Sequence, residues 1–320
     1  MSERRVVLTG VTGFIGGRLA AALVGARRDG ARLALRGVGR GPAPRWWTEA
    51  GGSWVEADLA TPHSLRGVCR DADAVLHLAA RVGGGEEECA AVNVDGASAL
   101  MADAVRHGVG RIVHLSTAAV HGKGPHDGAD MATTVPAPVS AASRTRLAGE
   151  RFALDAGAVV LRPGLVLGAG DRWVVPALAE SLERVPGRWA GGRARLSVVD
   201  VADLARLIVA LTVAPGPPPS GVHHASHPEP VRVGDLLDRL AGLGVLPAVP
   251  DRDLSWEACL ARLAATGGRV SERQFSLLAQ DHWYRGEDIW RKADCPPGPG
   301  VLAGLTASAD WYRDHLAGAR

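Results

Sequence analysis

Two residue types that carry proton chemistry in many enzymes are nearly missing from this 320-residue chain: lysine occurs only at Lys123 and Lys292, and tyrosine only at Tyr284 and Tyr312. Neither tyrosine has a lysine four residues on, so no Tyr-x-x-x-Lys pair exists anywhere. Cysteine is sparse as well. Cys69, Cys89, Cys259 and Cys295 lie far apart and form no Cys-x-x-Cys, which argues against a disulfide framework or a cysteine zinc site and points to a reducing cytoplasm. An excess of charge of one sign is also absent: 36 basic and 34 acidic residues leave a net charge of +2. That field is too weak to favour nucleic acid or an anionic membrane as a partner, so a small molecule is expected, bound by a monomer or homodimer. Long apolar runs are missing too. The amino-terminal arginines precede an apolar stretch as in a signal peptide, but Gly10, Gly13 and Gly16 break it. No other stretch approaches the roughly 20 apolar residues of a membrane span. Internal repeats and low-complexity segments are not found.

What is present is ample core material, 47% hydrophobic residues, enough for one large α/β domain or two coupled ones. The run Val6, Val7, Leu8 leads into "TGVTGFIGGRLAAALV", which reads as a buried strand, a glycine turn and a helix with Leu19 to Val24 in its body. That order suits a dinucleotide. Gly10 permits the turn, Gly13 lets the backbone approach a pyrophosphate, Gly16 lets helix and strand pack closely, and the helix N-terminus offers free N–H groups. A second strand, "RLALR", is expected to end at Arg36, about where an NAD site places an acid for the ribose 2′-hydroxyl. Arginine there, with Arg40 nearby, would instead pair with a 2′-phosphate. NADPH is therefore favoured over NADH, which stays open.

These motifs resemble the extended short-chain dehydrogenase/reductase family, the group of NAD-dependent epimerases and dehydratases. The fingerprint Thr9 to Gly16 includes Thr12, Phe14 and Ile15; "EADLA" supplies Asp58 and Leu59 towards the adenine; "VLHLAARV" supplies Leu78, Ala79 and Ala80 along the cofactor. "VNVDGA" at Asn93, "IVHLSTAAVHG" with Ser116 and Thr117, "LRPGLVLGAGD" with Pro163, Gly164 and Leu165, "VVDVADLARLI" and "GLTASADWYRDHL" follow in family order. The resemblance implies a doubly wound parallel (Rossmann) sheet over residues 1–166. It also implies a smaller substrate-binding region over 167–320, with 196–224 returning to the first lobe. Ala214–Gly221 looks like a proline-rich hinge between lobes, and Trp256 to Trp290 like a cap.

In this family a tyrosine protonates the substrate oxygen and a lysine four residues later lowers its pKa and holds the nicotinamide ribose. Aligning "ASRTRLAGE", on a helix expected to start near Ser140, puts Ala142 at the tyrosine, Thr145 at the serine, Arg146 at the lysine and Glu150 at the glutamate. Arg146 can still bond ribose hydroxyls but is no proton donor near neutrality. The resemblance makes Thr117, with Ser116 before it, the hydroxyls facing a substrate carbonyl, while His121, in place of the tyrosine of "VYG", is expected as an exposed, titratable rim group. General acid catalysis supplies about 10²–10⁴ in rate and positioning about 7–11 kcal/mol, so hydride transfer can survive the loss if the substrate or water gives the proton. A polycyclic ketone beside a phenol would do so. Leu165 and Leu167 replace the Asn and Tyr of nucleotide-sugar enzymes, and Trp173, Trp189, Trp283 and Trp290 are expected to face a flat, apolar ligand. The chain looks most like atypical ketoreductases of bacterial aromatic polyketide (angucyclinone-type) antibiotic pathways. Two rivals remain: an NADP-binding sensor or scaffold without turnover, and a nucleotide-sugar epimerase or dehydratase. No metal site is expected at His223, His224 and His227, because strand alternation sends the first two imidazoles to opposite faces.

Overall fold

The computed structural model describes residues 3–318. Seven parallel strands form the main sheet: β1 (Arg4–Thr9), β2 (Leu33–Gly39), β3 (Ser53–Glu56), β4 (Ala74–His77), β5 (Arg111–Leu115), β6 (Val159–Arg162) and β7 (Gly221–His224). Their order is β7-β6-β5-β4-β1-β2-β3, so the direction of winding reverses between β1 and β4. The expected doubly wound sheet is thus what the chain forms, and such a reversal opens a crevice at the carboxyl ends of the strands. Alternation along β1 divides the core between the two faces. Val6 and Leu8 pack with Leu19 and Leu23 of the helix Phe14–Arg28 and with Leu204 and Ile208 of the helix Val201–Val213. Val7 packs on the other face with Leu100 and Met101 of the helix Ala97–Arg106 and Ala153 of the helix Ala141–Asp155.

A second core gathers beyond the carboxyl ends, where Trp189, Phe275 and Tyr312 are fully buried among Leu178, Leu236 and Leu305. Beside it lies a four-stranded sheet of Val231–Arg232, Arg195–Leu196, His282–Tyr284 and His126–Ala129. Its last strand comes from between β5 and β6, which ties the small sheet to the end of β5.

Three expectations are corrected. The second strand does not stop at Arg36 but runs to Gly39, because Gly37 and Gly39 lie under the Trp54 ring: a Cβ on either would sit 2.5 or 2.6 Å from it. Ala214–Gly221 is not a hinge between lobes. It joins the helix Val201–Val213 to β7 at the amino-terminal edge of the main sheet. The Trp256–Trp290 stretch also divides: Trp256 and Phe275 belong to the second core, whereas the helix Glu287–Lys292 returns to the main sheet and buries Trp290, whose indole N–H donates to the Ser226 carbonyl at 2.9 Å. All four cysteines are free and buried. Among the described residues no helix is long and apolar enough to cross a membrane.

Candidate active site

The glycine turn is built by close approach. Gly10 has φ of 80°, and a Cβ there would lie 2.9 Å from the Ala79 amide nitrogen; one on Gly16 would lie 1.9 Å from the Gly10 carbonyl oxygen. Gly13 donates to that carbonyl at 2.9 Å and caps the helix Phe14–Arg28, whose first turn has neither a side-chain cap nor an acidic residue. The open helix end therefore keeps its N–H groups and positive potential for an anion. Thr9 secures the neighbouring strand: its hydroxyl oxygen accepts from the Leu78 and Ala79 N–H groups, both at 3.2 Å. The hydroxyl therefore gives its proton to Nδ1 of buried His77 at 2.8 Å. Burial, with Arg146 nearby, takes His77 down to about 4, so it stays neutral. Asp58 and Leu59 follow β3 at the same edge. This cradle and the donors around it fit a dinucleotide.

Arg36 does not take the expected place. It lies mid-strand, and its guanidinium donates to the carbonyls of Val68 and Arg70 at 2.9 and 2.8 Å. Arg40, exposed just past the end of β2 and without an ion pair among the described residues, stands at the carboxyl edge of the sheet instead.

The helix Ala141–Asp155 begins where the sequence indicated, with Ser140 and Ser143 each accepting the other's backbone N–H. Asn93 fixes it laterally, donating to the Thr145 hydroxyl at 3.0 Å, while a Cβ on Gly149 would lie 2.1 Å from the Asn93 carbonyl. This closeness aims Arg146 at the end of β5, where Nη2 donates to the carbonyls of Leu115 at 3.0 Å and Ser116 at 2.6 Å. Its Nε is buried without a partner, a donor that a ribose hydroxyl would satisfy. Burial lowers Arg146 to about 10, with Glu150 opposing the shift, so the charge persists at neutrality.

The two strand-end hydroxyls separate. Ser116 is buried and donates to Glu150 Oε1, which with Oε2 also takes Nε and Nη2 of Arg162 at 3.0 and 2.5 Å. It is a positioning residue, not one that reaches substrate. Thr117 is half-buried and accepts the Ala119 N–H at 3.2 Å, which leaves its proton free. His121 is corrected too: it is buried, with Nε2 3.0 Å from His224 Nε2. The Arg285 carbonyl, 3.1 Å from His224 Nδ1, can only accept, so His224 donates there and receives the His121 proton on Nε2. Burial and the neighbouring imidazole hold His121 near 3, far from a titratable rim group.

The segment after β6 closes the site. The Pro163 carbonyl accepts the Ala118 N–H at 2.8 Å, Gly164 donates to Ser226 Oγ at 2.8 Å, and Leu165 donates to the Ser197 carbonyl at 2.9 Å. Gly170 then approaches Phe14 so closely that a Cβ would lie 2.8 Å from its ring. The loop is held by Asp171, which caps the following helix through three N–H groups and receives the Tyr312 hydroxyl proton at 3.1 Å.

At Ala119, two residues beyond Thr117, opens a cavity of about 440 Å³ whose walls also include Gly122, Lys123, Trp256, Arg273 and Gln280; neither Thr117 nor Arg146 lines it. None of the four tryptophans expected to face a ligand lines it. Trp189 and Trp290 are core, Trp283 lies on the surface under Arg195 and donates to Asp127, and Trp173 is 67% exposed. Trp256 is the indole at the cavity, stacked on Phe275.

Comparison with known proteins agrees with this geometry. A family model described as the NAD dependent epimerase/dehydratase family matches residues 6–221. A 2-alkyl-3-oxoalkanoate reductase of Stenotrophomonas maltophilia is 28% identical over 325 residues, 96% of this chain and 91% of that protein. A ceramide reductase of Caulobacter vibrioides is 28% identical over 213 residues, 66% of this chain and 61% of its own length. Among solved structures, the UDP-glucuronic acid 4-epimerase of Bacillus cereus in complex with NAD superposes with a TM-score of 0.73 at 19% identity, covering 97% and 99% of the two chains. The dTDP-glucose 4,6-dehydratase DesIV of Streptomyces venezuelae, with NAD bound, gives 0.73 at 19% identity and 98% coverage of both.

Proposed function

Because the chain belongs to the NAD dependent epimerase/dehydratase family, we propose that it is an NADPH-dependent ketoreductase acting on an apolar, polycyclic ketone of the aromatic polyketide, angucyclinone-like type in antibiotic biosynthesis. It is an NAD(P)-dependent oxidoreductase that works without a tyrosine on its active-site helix. The observation that carries this reading is the pairing of Thr117, whose hydroxyl proton is free, with the fixed cation Arg146, on a helix that has Ala142 one turn before it. Bound NADPH supplies the hydride. Thr117 donates a hydrogen bond to the carbonyl oxygen, Arg146 steadies the negative charge that gathers there, and a neighbouring phenol or a water gives the proton. Arg40 is suited to the 2′-phosphate of NADPH, taking the part first expected of Arg36. The reductases among the relatives support carbonyl reduction, and Val139, Trp256 and Leu277 on the cavity wall support an apolar substrate.

The test is deuteride transfer from 4-deuterated NADPH to polycyclic ketones with and without an adjacent phenol, read by product mass. Label at the carbinol carbon of phenol-bearing ketones alone is the expected result. Tight NADPH binding with no label in any ketone would replace the reductase with a sensor or scaffold.

A further inference from the structure

The cavity that opens at Ala119 contains more charge than a neutral ketone needs. Exposed Lys123, one of two lysines in the chain, and half-buried Arg273 both line it, and among the described residues neither has an ion pair or hydrogen bond. The one acid among the lining residues is the exposed Glu272, also without a partner among the described residues. Arg184 and Arg188, also of intermediate exposure, are engaged with carboxylates or carbonyls, whereas the side chain of Arg262, which does not line the cavity, is like that of Arg273 without a hydrogen bond or ion pair among the described residues. A guanidinium with no protein acceptor at a cavity wall keeps its donors available to a ligand that offers a carboxylate.

The segment presenting Lys123 is held firmly. Gly122 has φ of 83°, and a Cβ there would lie 2.0 Å from the Ala137 carbonyl; Gly124 donates its N–H to His282 Nε2 at 3.1 Å. Behind it His121, His126, His224 and His282 are all shifted down by burial and stay neutral, so they add no charge. Lys123, Arg273 and Glu272 leave one net positive charge facing the apolar surfaces of Val139, Trp256 and Leu277.

We propose that Lys123 and Arg273 are specificity residues that recognise a carboxylate on the ketone substrate. The inference rests on the ketoreductase reading and narrows it: the substrate is a keto acid whose apolar body lies against Trp256 and Leu277. One net positive charge matches a monoanion. A nucleotide diphosphate, with at least twice the charge and a sugar besides, would be left undercompensated in about 440 Å³.

The experiment compares acid and methyl ester in two pairs, an acyclic 3-oxo acid and a polycyclic ketone bearing a carboxylate, with wild type, Lys123→Gln, Arg273→Gln and, as a control, Lys292→Gln. Loss of a charge-assisted contact should raise KM for the acid by about tenfold or more in either cavity variant, with kcat little changed. The esters should be indifferent to both substitutions, and Lys292→Gln, which removes a surface partner of Asp288, should change nothing. Whichever acid shows the larger effect identifies the source of the carboxylate. Equal kcat/KM for acid and ester, or equal losses on both, would overturn the assignment. If no ketone is reduced, octanoate and methyl octanoate are titrated calorimetrically into the NADPH-loaded protein. Octanoate binding that disappears in the Lys123→Gln/Arg273→Gln protein upholds the carboxylate site while the reductase reading fails; no binding overturns the site as well.

Discussion

Acidification from pH 7.5 to 5 should destabilise the fold well before its carboxylates titrate in bulk. Burial lowers His77 and His224 from 6.5 to about 4, and His121 from 6.5 to about 3. A histidine whose folded pKa is depressed binds its proton more readily when unfolded, so its stabilisation is present above the unfolded value of about 6.5 and is lost as pH falls below it. At pH 5 the unfolded imidazole lies about 1.5 units below its pKa while the folded one remains neutral, a loss of about 2 kcal/mol per independent site. His121 and His224 are coupled across their 3.0 Å contact, and the pair is counted once, as a lower bound. With His77 the total is about 4 kcal/mol, against a typical domain stability of about 5–15 kcal/mol. Asp171 and Asp200, shifted upward by burial, offset part of it. Urea unfolding at pH 7.5 and 5.0 measures the difference directly. A His121→Phe/His224→Phe protein should lose about half of the pH dependence. Equal midpoints and slopes for the wild type at the two pH values would refute the reasoning.

Arg40→Asp should move the Kd ratio of NADPH to NADH towards NADH by about tenfold or more, whereas Arg36→Gln should leave the ratio alone and cost thermal stability; isothermal titration and a melting curve separate the two. Glu150→Ala leaves Arg162 buried and unpaired and should lower unfolding free energy by about 3–5 kcal/mol in denaturant titration, with NADPH binding weakened because Ser116 and Arg146 lose their support. Thr117→Val should reduce kcat about 10²-fold with little change in NADPH affinity, as stopped-flow and fluorescence titration would show.

The glycine turn and the capped helix at Ser140 were legible because local chemistry alone decides them: a left-handed φ, a close approach and a reciprocal serine cap leave few alternatives. The end of β2 was not, since "RGVG" reads as a break unless one knows that the Trp54 ring covers Gly37 and Gly39. That packing takes Arg36 into the strand and passes the carboxyl edge of the sheet to Arg40. The tryptophans misled for a related reason. Large aromatic rings fill cores first, and only tertiary contacts tell Trp256 at the cavity from Trp189 within. His121 looked exposed because its partner His224 lies 103 residues away. Lys123 carried a signal in its rarity alone.

Arg146 differs from the lysine of the family resemblance in what it has left to give. A lysine ammonium has three interchangeable donors, but here the guanidinium Nη2 is committed to the Leu115 and Ser116 carbonyls, and Nε is buried without a partner. Its charge is therefore fixed at the end of β5 rather than free to follow a neighbouring phenol, and at about 10 its pKa keeps it cationic through the neutral range. A cation so placed lowers the energy of an alkoxide forming beside Thr117 but cannot deliver a proton to it. Chemistry at this site thus favours substrates that bring their own acidic group close to the carbonyl, and the pH dependence of kcat should follow the pKa of that group from one substrate to the next. A profile that stays fixed across ketones with phenols of different acidity would assign the proton to the protein and remove the need for substrate assistance.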